Sequence, residues 1–283
     1  MRKIVLATAV LLSGVWGCVS ERNAKPEFVA TILPVKYIVE TITGGDMKVN
    51  VLVPPGAGPE TYEPTPLQMV ECERAELLFS TGLIDFEKTM TERIGGRTEG
   101  GVVNLSQGIE LAEGACGHVH DTHHSHVHGA DPHIWLSVRN LKVMAANAWR
   151  AIEARYPDST RYRENFTELV SVLDSVDRQI SARITEGKYL ITYHPVLTYY
   201  ARDYGLHQLA IEQDGKEPSA EHLRAVIDTG KMMGIGTVFF QSQFPAASVE
   251  TVAADCGAEA VEIDPLAENV VDNILSITDL ITR

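Results

Sequence analysis

Two stretches in opposite halves of the chain, Ile32-Leu-Pro-Val-Lys-Tyr37 and Tyr193-His-Pro-Val-Leu-Thr198, share one design. In each, an apolar run rich in β-branched and aromatic residues ends and Pro-Val opens a segment of helical period. A second pair repeats the likeness. Tyr62-Glu-Pro-Thr-Pro-Leu-Gln68 and Lys216-Glu-Pro-Ser-Ala-Glu-His222 both put a Thr or Ser where a helix N-cap belongs. Thr65 is followed by Pro66 at the first helical position, where the missing N–H costs nothing, and by Gln68 at the capping-box position. The halves read as one architecture written twice.

Working outward, strands are expected at Phe28 to Leu33, Val49 to Val53, Leu77 to Thr81 and Val102 to Leu105. Helices alternate with them near Val35 to Thr43, Pro66 to Arg74 and Asp85 to Ile94. The second half repeats the alternation, with strands at Tyr189 to Tyr193, Gln208 to Ile211, Thr237 to Gln241 and Glu259 to Ile263. Its helices fall near Val196 to Tyr204, Ala220 to Met233 and Ala246 to Cys256, and Leu266 to Ile281 closes the chain. Strand and helix in alternation specify parallel sheets covered on both faces. The fold class is therefore α/β, in two lobes of roughly four parallel strands each. Between them Leu141 to Ala154 and Ser159 to Thr185 are helical. The second carries Phe166, Leu169, Val170, Leu173, Val176, Ile180 and Ile184 at spacings of three and four, an apolar stripe on one face. One long linking helix of this kind implies limited hinge motion between lobes. The expected segments are an N-terminal lobe over residues 28–140, linking helices over 141–187 and a C-terminal lobe over 188–283.

The amino terminus has another character. Basic Arg2 and Lys3 precede an apolar run from Ile4 to Leu12, and a small residue stands before Cys18. Residues 1–18 thus have the pattern of a secretory signal peptide with Cys18 as a lipid-attachment cysteine, and 19–27 would be a tether. No later stretch is long and apolar enough to span a bilayer, so a monomeric extracytoplasmic protein held to a membrane by lipid is expected. The formal charge of −14 repels nucleic acid and favours cations in a general way. Cys72, Cys116 and Cys256 lack zinc-finger spacing and allow at most one disulfide.

Residues 117–133 hold seven of the chain's ten histidines. Imidazole is a common ligand for zinc, and a tract offering His118, His120, His123, His124, His126 and His128 can hold a divalent ion without any one being positioned by a fold. This His-rich loop, residues 117–130, reads as an accessory collector. His133, behind Asp131-Pro132, is the histidine a fold would hold in place. Ligands of open parallel sheets sit beyond the carboxyl ends of strands. Four metal-capable side chains fall there: Glu60 after the glycine-rich turn Pro54-Pro-Gly-Ala-Gly-Pro-Glu60, His133 after the last strand of the first lobe, and His194 and Gln241 at strand ends in the second. Two imidazoles, a carboxylate and an amide oxygen or water suit zinc. His207 and His222 read as surface or capping residues.

With these residues assembled, the chain resembles the zinc- and manganese-binding solute-binding lipoproteins of ABC transporters, the ZnuA-type family. The likeness is carried by Val53-Pro-Pro-Gly-Ala-Gly-Pro-Glu-Thr-Tyr-Glu-Pro-Thr-Pro66, Asp131-Pro-His-Ile-Trp-Leu136, Tyr193-His-Pro-Val-Leu-Thr-Tyr-Tyr-Ala-Arg-Asp-Tyr-Gly205 and Val238-Phe-Phe-Gln-Ser-Gln-Phe244. It implies two α/β lobes joined by a long helix, a metal in the cleft and an ABC permease as partner. The family's first motif usually carries His where this chain has Glu60, and its last often an acid where this chain has Gln241. An oxygen replacing an imidazole hardens the site and narrows the preference for Zn²⁺ over Mn²⁺ or Fe²⁺, while the histidine tract favours zinc. The expected role is capture of Zn²⁺ and delivery to a permease, without catalysis. A zinc hydrolase is the enzymatic rival, but HExxH and G-x-S-x-G motifs are absent. The other readings are manganese or iron binding in the same role and a surface protein for metal storage or adhesion.

Overall fold

The computed structural model describes residues 28–94, 101–113, 129–213, 215–244 and 246–283. The expected signal peptide, tether, Cys18, Cys116 and His118 to His128 lie outside these residues. The N-terminal sheet comprises β1 (Phe28–Ala30), β2 (Val49–Val51), β3 (Leu77–Ser80) and β4 (Val102–Asn104) in the order β2-β1-β3-β4. The C-terminal sheet comprises β5 (Tyr189–Thr192), β6 (His207–Ala210), β7 (Thr237–Phe240) and β8 (Glu259–Glu262) in the order β6-β5-β7-β8. All strand pairs are parallel, and the two orders are the same permutation, as the repeated wording implies. In each sheet the order reverses beside the first strand. The crevice where a ligand can enter between connections therefore opens between β1 and β3 and between β5 and β7.

The helices are α1 (Leu33–Thr43), α2 (Pro66–Arg74), α3 (Asp85–Ile94), α4 (Val138–Arg155), α5 (Thr160–Arg183), α6 (Thr198–Asp203), α7 (Ala220–Met233), α8 (Ala246–Cys256) and α9 (Val270–Ile281). Several expected boundaries shift by a few residues, two of them for a clear local reason. The first strand stops at Ala30 instead of Leu33, because Pro34 sits in the first turn of α1 and its fixed φ already belongs to the helix. The last helix begins at Val270 instead of Leu266, where the Asn269 side chain accepts from the Asp272 N–H and caps it. The expected capping box is present at Thr65 and Gln68. Cys72 and Cys256 are free thiols.

Helix α5 has 24 residues, about 36 Å at 1.5 Å per residue, and buries Leu169, Leu173, Val176 and Ile180 along one stripe. Phe166 continues the stripe, stacking on Trp149 of α4 with centroids 5.4 Å apart. One continuous apolar core runs from Phe28 and Phe79 through the linking helices to Leu190, Phe239 and Ile274. The lobes are therefore fused along their inner faces, and a smaller cluster around Ile191, Val238 and Val252 fills the outer side of the second lobe. Polar bonds add to this fusion. The Trp135 indole N–H donates to Pro265 O at 2.8 Å, and the Tyr199 hydroxyl donates to Asp131 O at 2.7 Å. Lys36 pairs with Glu268 at 2.5 Å, and the Ser137 hydroxyl meets the Asp203 carboxylate.

The end of α1 is fastened to the start of α5 at one glycine. Gly44 has φ 62°, and a Cβ there would stand 2.7 Å from a guanidinium nitrogen of Arg161, which itself binds Asp46 and Gly44 O. Gly45 also has positive φ, 76°, but with nothing within 4 Å of its added Cβ. Gly45→Ala is expected to cost about 1–2 kcal/mol from backbone strain alone. Gly44→Ala is expected to cost more, because Arg161 must also move; urea unfolding of the two variants checks the difference.

Candidate metal centre

Three side chains meet between the lobes. Glu60 lies on a one-turn 3-10 helix, Pro59–Thr61, that ends the glycine-rich loop after β2. That loop turns at Gly56, φ 81°, and is anchored by Gln68, whose amide donates to Leu52 O at 2.9 Å and whose oxygen accepts from the Tyr62 hydroxyl at 2.9 Å. His133 precedes a second such turn, Ile134–Leu136, and His194 stands two residues after the end of β5. Both imidazoles are buried, at 2% and 3% exposure.

Each imidazole is oriented by a buried carboxylate. Asp131 Oδ1 accepts from the His133 backbone N–H at 2.8 Å and faces its Nδ1 at 2.9 Å. Glu212 Oε1 faces His194 Nδ1 at 2.6 Å. A carboxylate cannot donate when ionised, so it assigns the proton to Nδ1 and leaves the lone pair on Nε2 of both rings. The Nε2 atoms then face Glu60 Oε1, at 3.4 Å from His133 and 2.6 Å from His194. Despite this closeness Glu60 Oε1 has no aligned hydrogen-bond partner and is buried. The three ligand atoms lie within 4.8 Å of one another and converge on a shared space. Ligand atoms about 2.0–2.1 Å from a tetrahedral zinc stand about 3.4 Å apart. The His133–Glu60 separation already fits; the His194–Glu60 pair must open by several tenths of an ångström.

A cavity of about 100 Å³ adjoins these atoms, lined also by Trp135, Ser242, Gln243 and Asp264. Gln241 is not among its lining residues. Its side chain is wholly buried with neither amide atom hydrogen-bonded, and it directly precedes Ser242 and Gln243, which do line the cavity; the ligand atoms of the other three expected residues, Glu60, His133 and His194, meet. Reading the sequence missed Asp131 and Glu212 as orienting groups and Asp264 as a cavity wall. Asp131 stands two residues before His133. Glu212 stands two residues beyond β6, at the carboxyl end of a strand. His222 binds Ala210 O at 2.9 Å and His207 is exposed, both as expected.

Burial pushes the Glu60 carboxyl up, but His133 and His194 outweigh it and hold it far below the usual carboxylate range. For His133, burial pushes downward, yet Asp131 and Glu60 prevail and the imidazole titrates above its ordinary 6.5. In the metal-free protein, protonated His133 therefore adds stability that is fully present below 6.5 and is lost as pH rises through the raised value. Metal binding has the opposite sign, since an ion must displace the Nε2 proton. Zinc affinity measured from about pH 8 to about pH 5 is expected to begin falling above 6.5; a break at or below 6.5 contradicts the assignment.

Comparison with known proteins finds zinc-uptake relatives. The family model described as "ZnuA: Zinc-uptake complex component A periplasmic" matches residues 28–279. The high-affinity zinc uptake system protein ZnuA of Bacillus subtilis (strain 168) is 28% identical over 275 residues, covering 93% of this chain and 85% of that protein. Zinc-binding protein AdcA of Streptococcus pyogenes is 26% identical over 262 residues, covering 86% of this chain but only 51% of AdcA. A solved ZnuA crystal structure superposes with TM-score 0.80 at 32% identity, covering 90% of this chain and 97% of that one.

Proposed function

The chain belongs to the ZnuA family of periplasmic zinc-uptake components, and from that premise we propose that it captures one Zn²⁺ on Glu60, His133 and His194 and delivers it to an ABC permease. The family consists of metal-binding solute-binding proteins, not enzymes. The observation that carries the reading is the convergence of one carboxylate oxygen and two Nε2 atoms whose opposite ring nitrogens are held by carboxylates. Such carboxylate–histidine pairs fix the ring and raise its basicity toward a metal. The three residues supply the three protein ligands of an exchangeable zinc site, and water or Asp264 can complete the tetrahedron. Gln241, whose buried amide has no hydrogen-bond partner, is the other candidate for that fourth position.

His118 to His128 act in this reading as a weaker, multi-site collector, with Cys18 as the lipid anchor outside the cytoplasm. No helix among the described residues is long and apolar enough to cross a membrane. Manganese or ferrous ion in the same role is the second reading, favoured by one observation: Glu60 supplies an oxygen where the related motif usually has an imidazole, and oxygen suits harder ions.

Deleting residues 114–128 is expected to remove weak binding and leave one tight zinc per chain. His133→Ala/His194→Ala is expected to do the reverse. Zinc titration with metal analysis of both variants checks this, and a tight site that survives the double substitution while vanishing with the tract contradicts the proposal.

A further inference from the structure

The three candidate ligands differ in their access to solvent. His133 and His194 are sealed, whereas 27% of the Glu60 side chain is exposed. Glu60 is also the residue where three spaces meet. It lines the small metal cavity, a recess of about 60 Å³ running toward Asp85 and Lys88, and an open groove of about 420 Å³ on the flank of the first lobe. The groove lies between the loop carrying Glu63 and the exposed side of α3, with Asp85, Phe86 and Thr89 along its other wall.

We propose that this groove is the lateral route by which a divalent cation reaches the cleft, meeting Glu63 and Asp85 first and then passing to Glu60. The proposal rests on the reading of Glu60, His133 and His194 as the metal site. Glu60 is the hinge of the transfer because the same carboxyl lines the groove and presents Oε1 to the two imidazoles. Charge chooses between the two outer spaces. The recess sets Glu60 and Asp85 against Lys88, which pairs with Asp85 at 3.0 Å. Lys88 offsets Asp85 in either space, but the groove adds a further carboxylate, Glu63, and its own cation, Arg93, stands two turns of α3 beyond Asp85, about 12 Å away. The groove therefore keeps the larger negative excess at the end nearest Glu60. Its wall includes Tyr62 and Phe86, packed edge to face at 5.5 Å. Apolar walls of this kind exclude water and concentrate the field of the carboxylates on the approaching ion.

A route residue differs from a ligand in what it changes. Filling the route slows arrival and departure by one factor and leaves the equilibrium untouched. Thr89 is exposed on α3 and faces the groove, so Thr89→Trp fills it without touching the core. With free Zn²⁺ as probe, stopped-flow mixing against a fluorescent zinc indicator reads association, and a chelator chase reads dissociation. Thr89→Trp is expected to slow both by about tenfold with Kd unchanged. Glu63→Gln/Asp85→Asn is expected to slow association roughly three- to tenfold at low ionic strength, with the difference shrinking in high salt. One tight zinc per chain with both rates unaltered in Thr89→Trp, or association unaltered in the charge variant at low salt, overturns the route. Absence of a tight site in the unmodified protein instead overturns the reading on which the route rests.

Discussion

A buried imidazole presents one nitrogen reliably only when something holds the other, and the site depends on that constraint. Asp131 and Glu212 each face an Nδ1 atom, so His133 and His194 both turn Nε2 into the same small space. Without those carboxylates the rings would lose their assigned tautomer and orientation. The arrangement is costly in isolation, because two buried acids and a third carboxylate at Glu60 are brought to one place. Partnership offsets the cost: the Asp131 carboxyl is pushed up by burial and pulled down by His133, and the downward pull prevails. A divalent cation adds the positive charge that three carboxylates and two neutral rings otherwise lack.

The supports of these groups come from both halves of the chain. Asp131 is held through its carbonyl by Tyr199 of the second lobe, and Trp135, next to the His133 turn, donates to Pro265 beside Asp264. Each His ligand belongs to a different lobe, yet the apolar core crosses between lobes without a break. Opening the cleft as a wide hinge would expose that core. At the proposed site, exchange of an ion would then proceed through small local movements, and Glu60 is the candidate ligand with side-chain exposure to solvent.

Much of this was legible in the sequence because it depends on local rules. Alternating apolar runs and helical periods marked all eight strands, and Thr65 with Gln68 marked the start of α2. His194 was legible as a residue just beyond a strand end, and Glu60 and His133 as residues on the connections that follow β2 and β4, on the side where open parallel sheets bind ligands. Gln241 met the same rule, and what the sequence does not show is that its amide is wholly buried without a hydrogen-bond partner, because burial depends on packing between elements distant in sequence. Glu212 and Asp264 were missed for a related reason: neither has a neighbour in sequence that it serves. Glu212 reaches a ring on the adjacent strand connection, and only the pairing of β5 with β6 brings them together.

The central claim is that one carboxylate and two imidazoles hold the ion, and X-ray absorption of the protein loaded with one zinc per chain tests it most directly. The account predicts a first shell of nitrogen and oxygen at about 2.0–2.1 Å containing two imidazoles and no sulfur. A shell of three or four imidazoles would place the ion on the histidine tract instead, and a sulfur neighbour at about 2.3 Å would place it on a cysteine; either contradicts the account.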